Sequence, residues 1–113
     1  MITLSEENYL KAILAISLNT NKKASTNEIA EELNTSAASV SDMLKKMQDK
    51  NLVKYEKYRG AELSSKGNNH AISITRKHRL WETFLVEKLN FNWEEVHDLA
   101  EELEHIKSSK LID

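Results

Sequence analysis

The chain has 113 residues, 40% of them hydrophobic, which is enough for one core near the lower end of domain sizes. It has no cysteine, no proline and two glycines, which excludes disulfides and thiolate metal ligands, favours helix, and fits a reducing compartment such as the cytoplasm. The net charge of −2 hides a split: residues 36–80 carry ten Lys/Arg against four Asp/Glu, and residues 81–113 carry three against nine. A basic surface for a polyanion and an acidic part with another task are the expectation.

The opening "MITLSEENYLKAILAISL" is interrupted by Glu6, Glu7 and Lys11, so it reads as neither a signal peptide nor a membrane span. Ser5 is placed to cap a first helix to about Leu18, with Leu10, Ile13 and Leu14 on its apolar side. The polar "NTNKKAST" closes it. Ser25 with Glu28 makes a capping-box pattern for a short second helix that buries Ile29, Ala30 and Leu33. "NTS" at 34–36 is a turn, and a third helix runs through "AASVSDMLKKMQDKN" with Val40, Leu44 and Met47 inward. The segment "LVKYEKYRGAELSS" then alternates Val53, Tyr55 and Lys57 against Lys54, Glu56 and Tyr58. It is expected to turn at Arg59–Gly60, as a β-hairpin.

Two short helices joined by a tight turn and followed by a hairpin form the order of a winged helix-turn-helix. The third helix is then the one that enters a major groove, with the hairpin beside it on the backbone. Ser36, Ala37, Ala38, Ser39 and Ser41 are small enough for close approach to phosphates or base edges, and Lys45, Lys46, Lys54, Lys57 and Arg59 supply positive charge. Each lysine alone reads better as a solvated surface residue. Their sum, with the hairpin and the charge split, points to double-stranded DNA.

After the wing, Ser64 or Ser65 caps a long helix through "KGNNHAISITRKHRLWETFLVEKLN", with Ile72, Ile74, Leu80, Phe84, Leu85 and Leu89 as its apolar content. "FN" breaks it. Asn92 with Glu95 begins a further helix expected to end near Lys107, and "SSKLID" suits one more turn. At about 100° per residue, Val96, Leu99, Leu103 and Ile106 fall in one arc, extended by Ala100, and His97, Glu101, Glu104 and His105 in another beside it. Glu94, Glu95, Asp98 and Glu102 turn further toward solvent. His78 and Glu82 on the long helix add a pair at i and i+4. Imidazole and carboxylate without thiolate suit divalent manganese, iron, cobalt or zinc. Spacing alone leaves open a merely solvated acidic face, and it identifies no partner helix.

"SEENYLKAI", "IAEELNTSAASVSDMLKKM", "LVKYEKYRG", "RKHRLWETFL" and "VHDLAEELEHI" together resemble the metal-dependent repressors typified by the diphtheria toxin repressor and the manganese transport regulator, collinearly over nearly the whole chain. The resemblance implies a mainly α protein: a winged helix-turn-helix DNA-binding domain over 1–64, then a helical metal-binding and dimerisation domain over 65–113. It implies a homodimeric repressor of metal homeostasis that binds an operator in double-stranded DNA, with no enzymatic activity, no membrane and no small organic substrate. It places His78, Glu82 and His97 in an ancillary metal site and Glu101, Glu104 and His105 in a primary one. Asn8 stands where the family completes the primary site with a methionine or an aspartate. The metal implied is Mn2+ or Fe2+, for which Zn2+, Co2+ or Ni2+ substitutes in vitro.

Three departures qualify the transfer. Glu101 stands where iron-type members have cysteine, which favours harder ions. Lys11 stands where manganese-type members have a second carboxylate, which disfavours a paired-metal arrangement. These 113 residues hold no SH3-like C-terminal domain of the kind longer iron-type relatives carry, and the helical domain over 65–113 is expected to be cut short at its C-terminal end. Two other classes stay open at this point: a winged-helix regulator answering to a non-metal ligand, with the His/Glu set structural, and a metal-dependent hydrolase. The hydrolase leaves the basic wing unexplained and has neither a nucleophile motif nor a phosphate-binding glycine loop.

Overall fold

The computed structural model describes residues 2–107, apart from the side chain of Trp93. Its elements in chain order are α1 (Leu4–Thr20), α2 (Thr26–Leu33), α3 (Ala37–Asp49), β1 (Val53–Glu56), β2 (Gly60–Leu63), α4 (Ser65–Leu89) and α5 (Trp93–Leu103). The chain divides into two compact units, residues 1–72 and 73–113, so the division falls within α4. The final "SSKLID", expected to begin another turn, lies outside the described residues.

The first unit is a winged helix, as the order of elements required. Leu10 and Ile13 of α1, Ile29 of α2, and Val40, Leu44 and Met47 of α3 are fully buried and share one cluster with Leu52, Val53 and Ala61. Their helical spacing makes that one apolar side per helix. α1 starts two residues earlier than Ser5 would have it: Thr3 is the cap, its hydroxyl accepting from Glu6 N while the Glu6 carboxylate accepts from Thr3 N. Thr-x-x-Glu is a capping box, whereas Ser5 has Asn8 three residues on and so no second half. α2 begins with the expected Ser25–Glu28 box, and Ser36 caps α3 by accepting from Ser39 N.

β1 and β2 pair antiparallel, Val53 with Leu63 and Glu56 with Gly60. The turn between them is therefore residues 57–59, earlier than the expected Arg59–Gly60, so Lys57 and Tyr58 belong to the tip of the wing rather than to a strand. Tyr58 takes the left-handed conformation that reverses the chain there, with φ 70°. Ala24 exchanges backbone hydrogen bonds with Ala61 and adds a minimal third strand.

Ser64, not Ser65, caps α4: its hydroxyl accepts from Gly67 N. Gly67 then lies so close to the loop before β1 that a Cβ there would come within 2.0 Å of the Leu52 carbonyl oxygen. Polar contacts join α1 to the rest of the unit. Lys50 donates to the buried Glu6 carboxylate at 2.8 Å, and His70 meets the buried Glu7 at 2.6 Å. Burial pushes the Glu6 carboxyl up, but the hydrogen bonds from Lys50 and Thr3 outweigh it and hold the group below its ordinary value.

In the second unit Asn92 caps α5 with Glu95 in the expected box. α5 ends at Leu103, short of Lys107, and its buried side is Val96, Ala100 and Glu104, spaced by four, while Leu99 and Leu103 are half-buried. Of the apolar arc, expected to be core or dimer interface, Val96 and Ala100 are buried and Leu99, Leu103 and Ile106 half-buried, and Glu104 takes an interior place beside it. The reason is a polar partner for Glu104, described below.

Candidate metal centre and nucleic-acid face

Successive turns of α4 present His78 and Glu82, and the first turns of α5 present His97. Donor atoms of these three residues lie within 4.8 Å of one another, the one such group of three among the described residues. His78 Nε2 is 3.4 Å from Glu82 Oε2, and His97 Nδ1 is 3.9 Å from the same oxygen. The two imidazole rings meet edge to face with centroids 4.9 Å apart. His78 is buried, Glu82 half-buried and His97 exposed, so the cluster opens to solvent on one side. Two imidazoles and a carboxylate make a donor set that fits a divalent first-row ion.

Glu101, Glu104 and His105 are placed differently. Glu104 is entirely buried and its Oε1 receives His78 Nδ1 at 2.6 Å. Its Oε2 faces His105 Nε2 at 3.7 Å. Glu101, half-exposed on α5, has its carboxylate 3.9 Å from His97 Nε2. These three therefore do not form a cluster as tight as the first; both of their carboxylates face its histidines instead. Asn8 is half-buried on α1. The fourth histidine, His70, belongs to the Glu7 contact within the first unit.

The residues anticipated to meet DNA lie on the first unit. Ser36, Ala37, Ala38 and Ser39 are exposed at the start of α3, and Lys45 and Lys46 are exposed further along it. Ser41 is half-buried because the Tyr55 hydroxyl reaches its oxygen at 3.4 Å. This bond draws the Tyr55 phenol below its ordinary value, an effect to which Lys45 and Lys57 also contribute. Lys57 and Arg59 are exposed on the wing, where Arg59 stands 3.7 Å from Glu56. Spacing did not reveal a cavity of about 450 Å³ between the start of α2, α3 and the wing, lined by Thr26, Asn27, Ser41, Tyr55 and Arg59 among others. Nor did it reveal Tyr58, 93% exposed with Lys57 Nζ 5.3 Å from its ring centre. The polar run after Ser25 and the aromatic two residues before Gly60 were the available signals.

A winged helix followed by helices that gather His and Glu side chains defines the class: a DNA-binding module joined to a candidate metal-binding one. The chain belongs to the iron-dependent repressor family, whose N-terminal DNA-binding domain model matches residues 1–61 and whose metal-binding and dimerisation domain model matches residues 64–113. It is 41% identical over 80 residues to the iron-dependent repressor IdeR of Mycobacterium leprae, covering 71% of this chain and 35% of that protein. It is 35% identical to the HTH-type transcriptional regulator MntR of Oceanobacillus iheyensis over 113 residues, all of this chain and 76% of that one. Among solved structures it resembles the manganese regulator SloR (TM-score 0.78, 42% identity) and a manganese-dependent transcriptional repressor in complex with manganese (TM-score 0.82, 38% identity). The matches cover 94% and 93% of this chain. The chain spans 49% and 48% of those two structures. No helix among the described residues is long and apolar enough to cross a membrane.

Proposed function

We propose that the chain is a homodimeric, metal-dependent transcriptional repressor, not an enzyme, that works in the cytoplasm and controls metal homeostasis by binding an operator in double-stranded DNA. Residues 1–64 act as the DNA-binding domain and residues 65–113 as the metal-binding and dimerisation domain. The observation that carries this reading is the convergence of His78, Glu82 and His97 within 4.8 Å in a chain that also holds a winged helix. Manganese-dependent relatives of similar fold support the same reading.

His78, Glu82 and His97 hold the ancillary ion. Glu101, Glu104, His105 and Asn8 supply the primary donors, the amide oxygen of Asn8 serving as a neutral hard ligand. Mn2+ or Fe2+ is the ion these oxygen-rich donors suit, since no thiolate is present. A bound divalent ion supplies the positive charge that turns repulsion among the carboxylates into coordination. The DNA-competent state gains by the difference in ion affinity between the two states. Ser36, Ala37, Ala38, Ser39 and Ser41 approach the groove, and Lys45, Lys46, Lys57 and Arg59 neutralise phosphates. Leu80 and Phe84, exposed one turn apart on α4, offer apolar surface for the second copy.

The test is selection of a duplex from a randomised library in the presence of Mn2+, followed by anisotropy titrations with Mn2+, Fe2+, Zn2+ or a chelator. Tight binding with Mn2+ or Fe2+ and weak binding in chelator is the expected result. Glu104→Ala is expected to bind DNA weakly in either condition. Equal affinity with metal and with chelator would overturn the metal dependence.

A further inference from the structure

Each histidine of the ancillary cluster uses both ring nitrogens, and the second nitrogen of each faces a carboxylate assigned to the other site. His78 turns Nε2 to Glu82 and Nδ1 to Glu104 Oε1 at 2.6 Å; His97 turns Nδ1 to Glu82 and Nε2 to Glu101 at 3.9 Å. A carboxylate oxygen accepts from an imidazole N–H, so the short 2.6 Å contact to Glu104 favours the His78 proton on Nδ1 and leaves Nε2, at the longer 3.4 Å from Glu82, as the ligating nitrogen. Glu104 is fully buried beside a buried His78, where such a bond holds ring orientation firmly. Its other oxygen remains on the His105 side at 3.7 Å.

We propose that Glu104, and more weakly Glu101, are positioning residues of the ancillary metal site in addition to their part in the primary one. A carboxylate behind a ligating imidazole sets its tautomer and raises its basicity. The two sites therefore share groups: His78 and Glu104 form one hydrogen-bonded unit with a donor atom facing each way. A change at Glu104 is read at both sites. This inference rests on the reading of His78, Glu82 and His97 as metal ligands.

The test removes the primary site's histidine with His105→Ala and follows Co2+ binding at the ancillary site by its visible absorption. Adding Glu104→Gln to that background is expected to lower Co2+ affinity about 10- to 100-fold and to shift the absorption spectrum. Adding Glu101→Gln instead is expected to cost less, because its contact is longer and half-exposed. In the metal-free protein, nitrogen NMR shifts are expected to show His78 protonated on Nδ1, and protonation on Nε2 alone overturns the proposal whether or not the Glu104 variant folds. Unchanged Co2+ affinity and spectrum in both double variants also overturn it, while leaving the ligand assignment standing. Failure of the His105→Ala protein to bind Co2+ at all overturns the ligand assignment and the proposal together.

Discussion

Tyr58 holds φ 70° at the tip of the wing, in company with Asn21, Asn34, Asn51 and Asn90, the other non-glycine residues with positive φ among those described. Asparagine tolerates this region because its short side chain bonds the local backbone, whereas a tyrosine ring makes no such bond and carries a cost of about 1–2 kcal/mol there. Tyr58→Asn is therefore expected to raise stability by about 1 kcal/mol, seen as a higher urea midpoint at unchanged slope. The sequence marks the polar run that holds Asn21 and the turn at Asn34, but the apolar period carries the third helix through Asn51 and puts the next break at Phe91–Asn92 rather than at Asn90. The reversal at Tyr58 is expected one or two residues late, at Arg59–Gly60, because nothing in tyrosine marks a turn. Gly67 illustrates the same limit. It looks like an ordinary weak spot in a helical run, yet a Cβ there would press to 2.0 Å of the Leu52 carbonyl. Backbone meets backbone, so neither side can yield by a rotamer change. Gly67→Ala is expected to cost about 3 kcal/mol, as overpacking of a buried position does, measurable as a loss of urea midpoint.

At the scale of elements, helix starts were legible where a cap and its glutamate stood together ahead of an apolar run, although the Thr3–Glu6 box was passed over in favour of Ser5. Ser25–Glu28 and Asn92–Glu95 were found in this way, because the box is purely local. Helix ends were less legible. α5 was expected to reach Lys107 because Leu103 and Ile106 continue the apolar period, but the interior takes Glu104 in with Val96 and Ala100. A carboxylate is buried only when a partner meets it, and that partner, His78, lies 26 residues away in sequence. No periodicity can report such a pairing. The same holds for Glu6, which caps α1 and also receives Lys50, 44 residues away. These bonds favour the ionised carboxylate, so its folded pKa lies below the unfolded one, itself near 4.3. The stabilisation is present above the unfolded pKa and is lost as pH falls through the folded pKa. Glu6→Gln is expected to be less stable than the parent at pH 7 and to lose less of its stability between pH 5 and pH 3. Urea midpoints at a series of pH values measure it, and parallel curves for the two proteins would contradict the assignment.

Over the whole molecule, the charge is divided along the chain more sharply than its total suggests, with the excess of Lys/Arg in residues 36–80 and of Asp/Glu in residues 81–113. The basic part includes α3 and the wing, the elements that a winged helix lays on DNA; the acidic part includes α5, whose carboxylates face histidines. This division made both tasks visible before any fold was known, although it did not distinguish the positions that bind from those that merely repel. Salt dependence makes that distinction. A lysine that neutralises a phosphate releases counterions on binding, so its removal lowers the slope of log affinity against log salt by about 0.9 per contact. Lys45→Ala is expected to reduce the slope by roughly 1.8 for a bound dimer, and to weaken selected and unrelated duplexes by similar factors. Glu94→Ala, in the acidic part, is expected to leave the slope unchanged. Anisotropy titrations at several salt concentrations, with Mn2+ held constant, decide the matter. A Lys45→Ala slope equal to that of the parent would remove this lysine from the phosphate contacts. A loss confined to the selected duplex would reassign it from the phosphate backbone to the reading of bases.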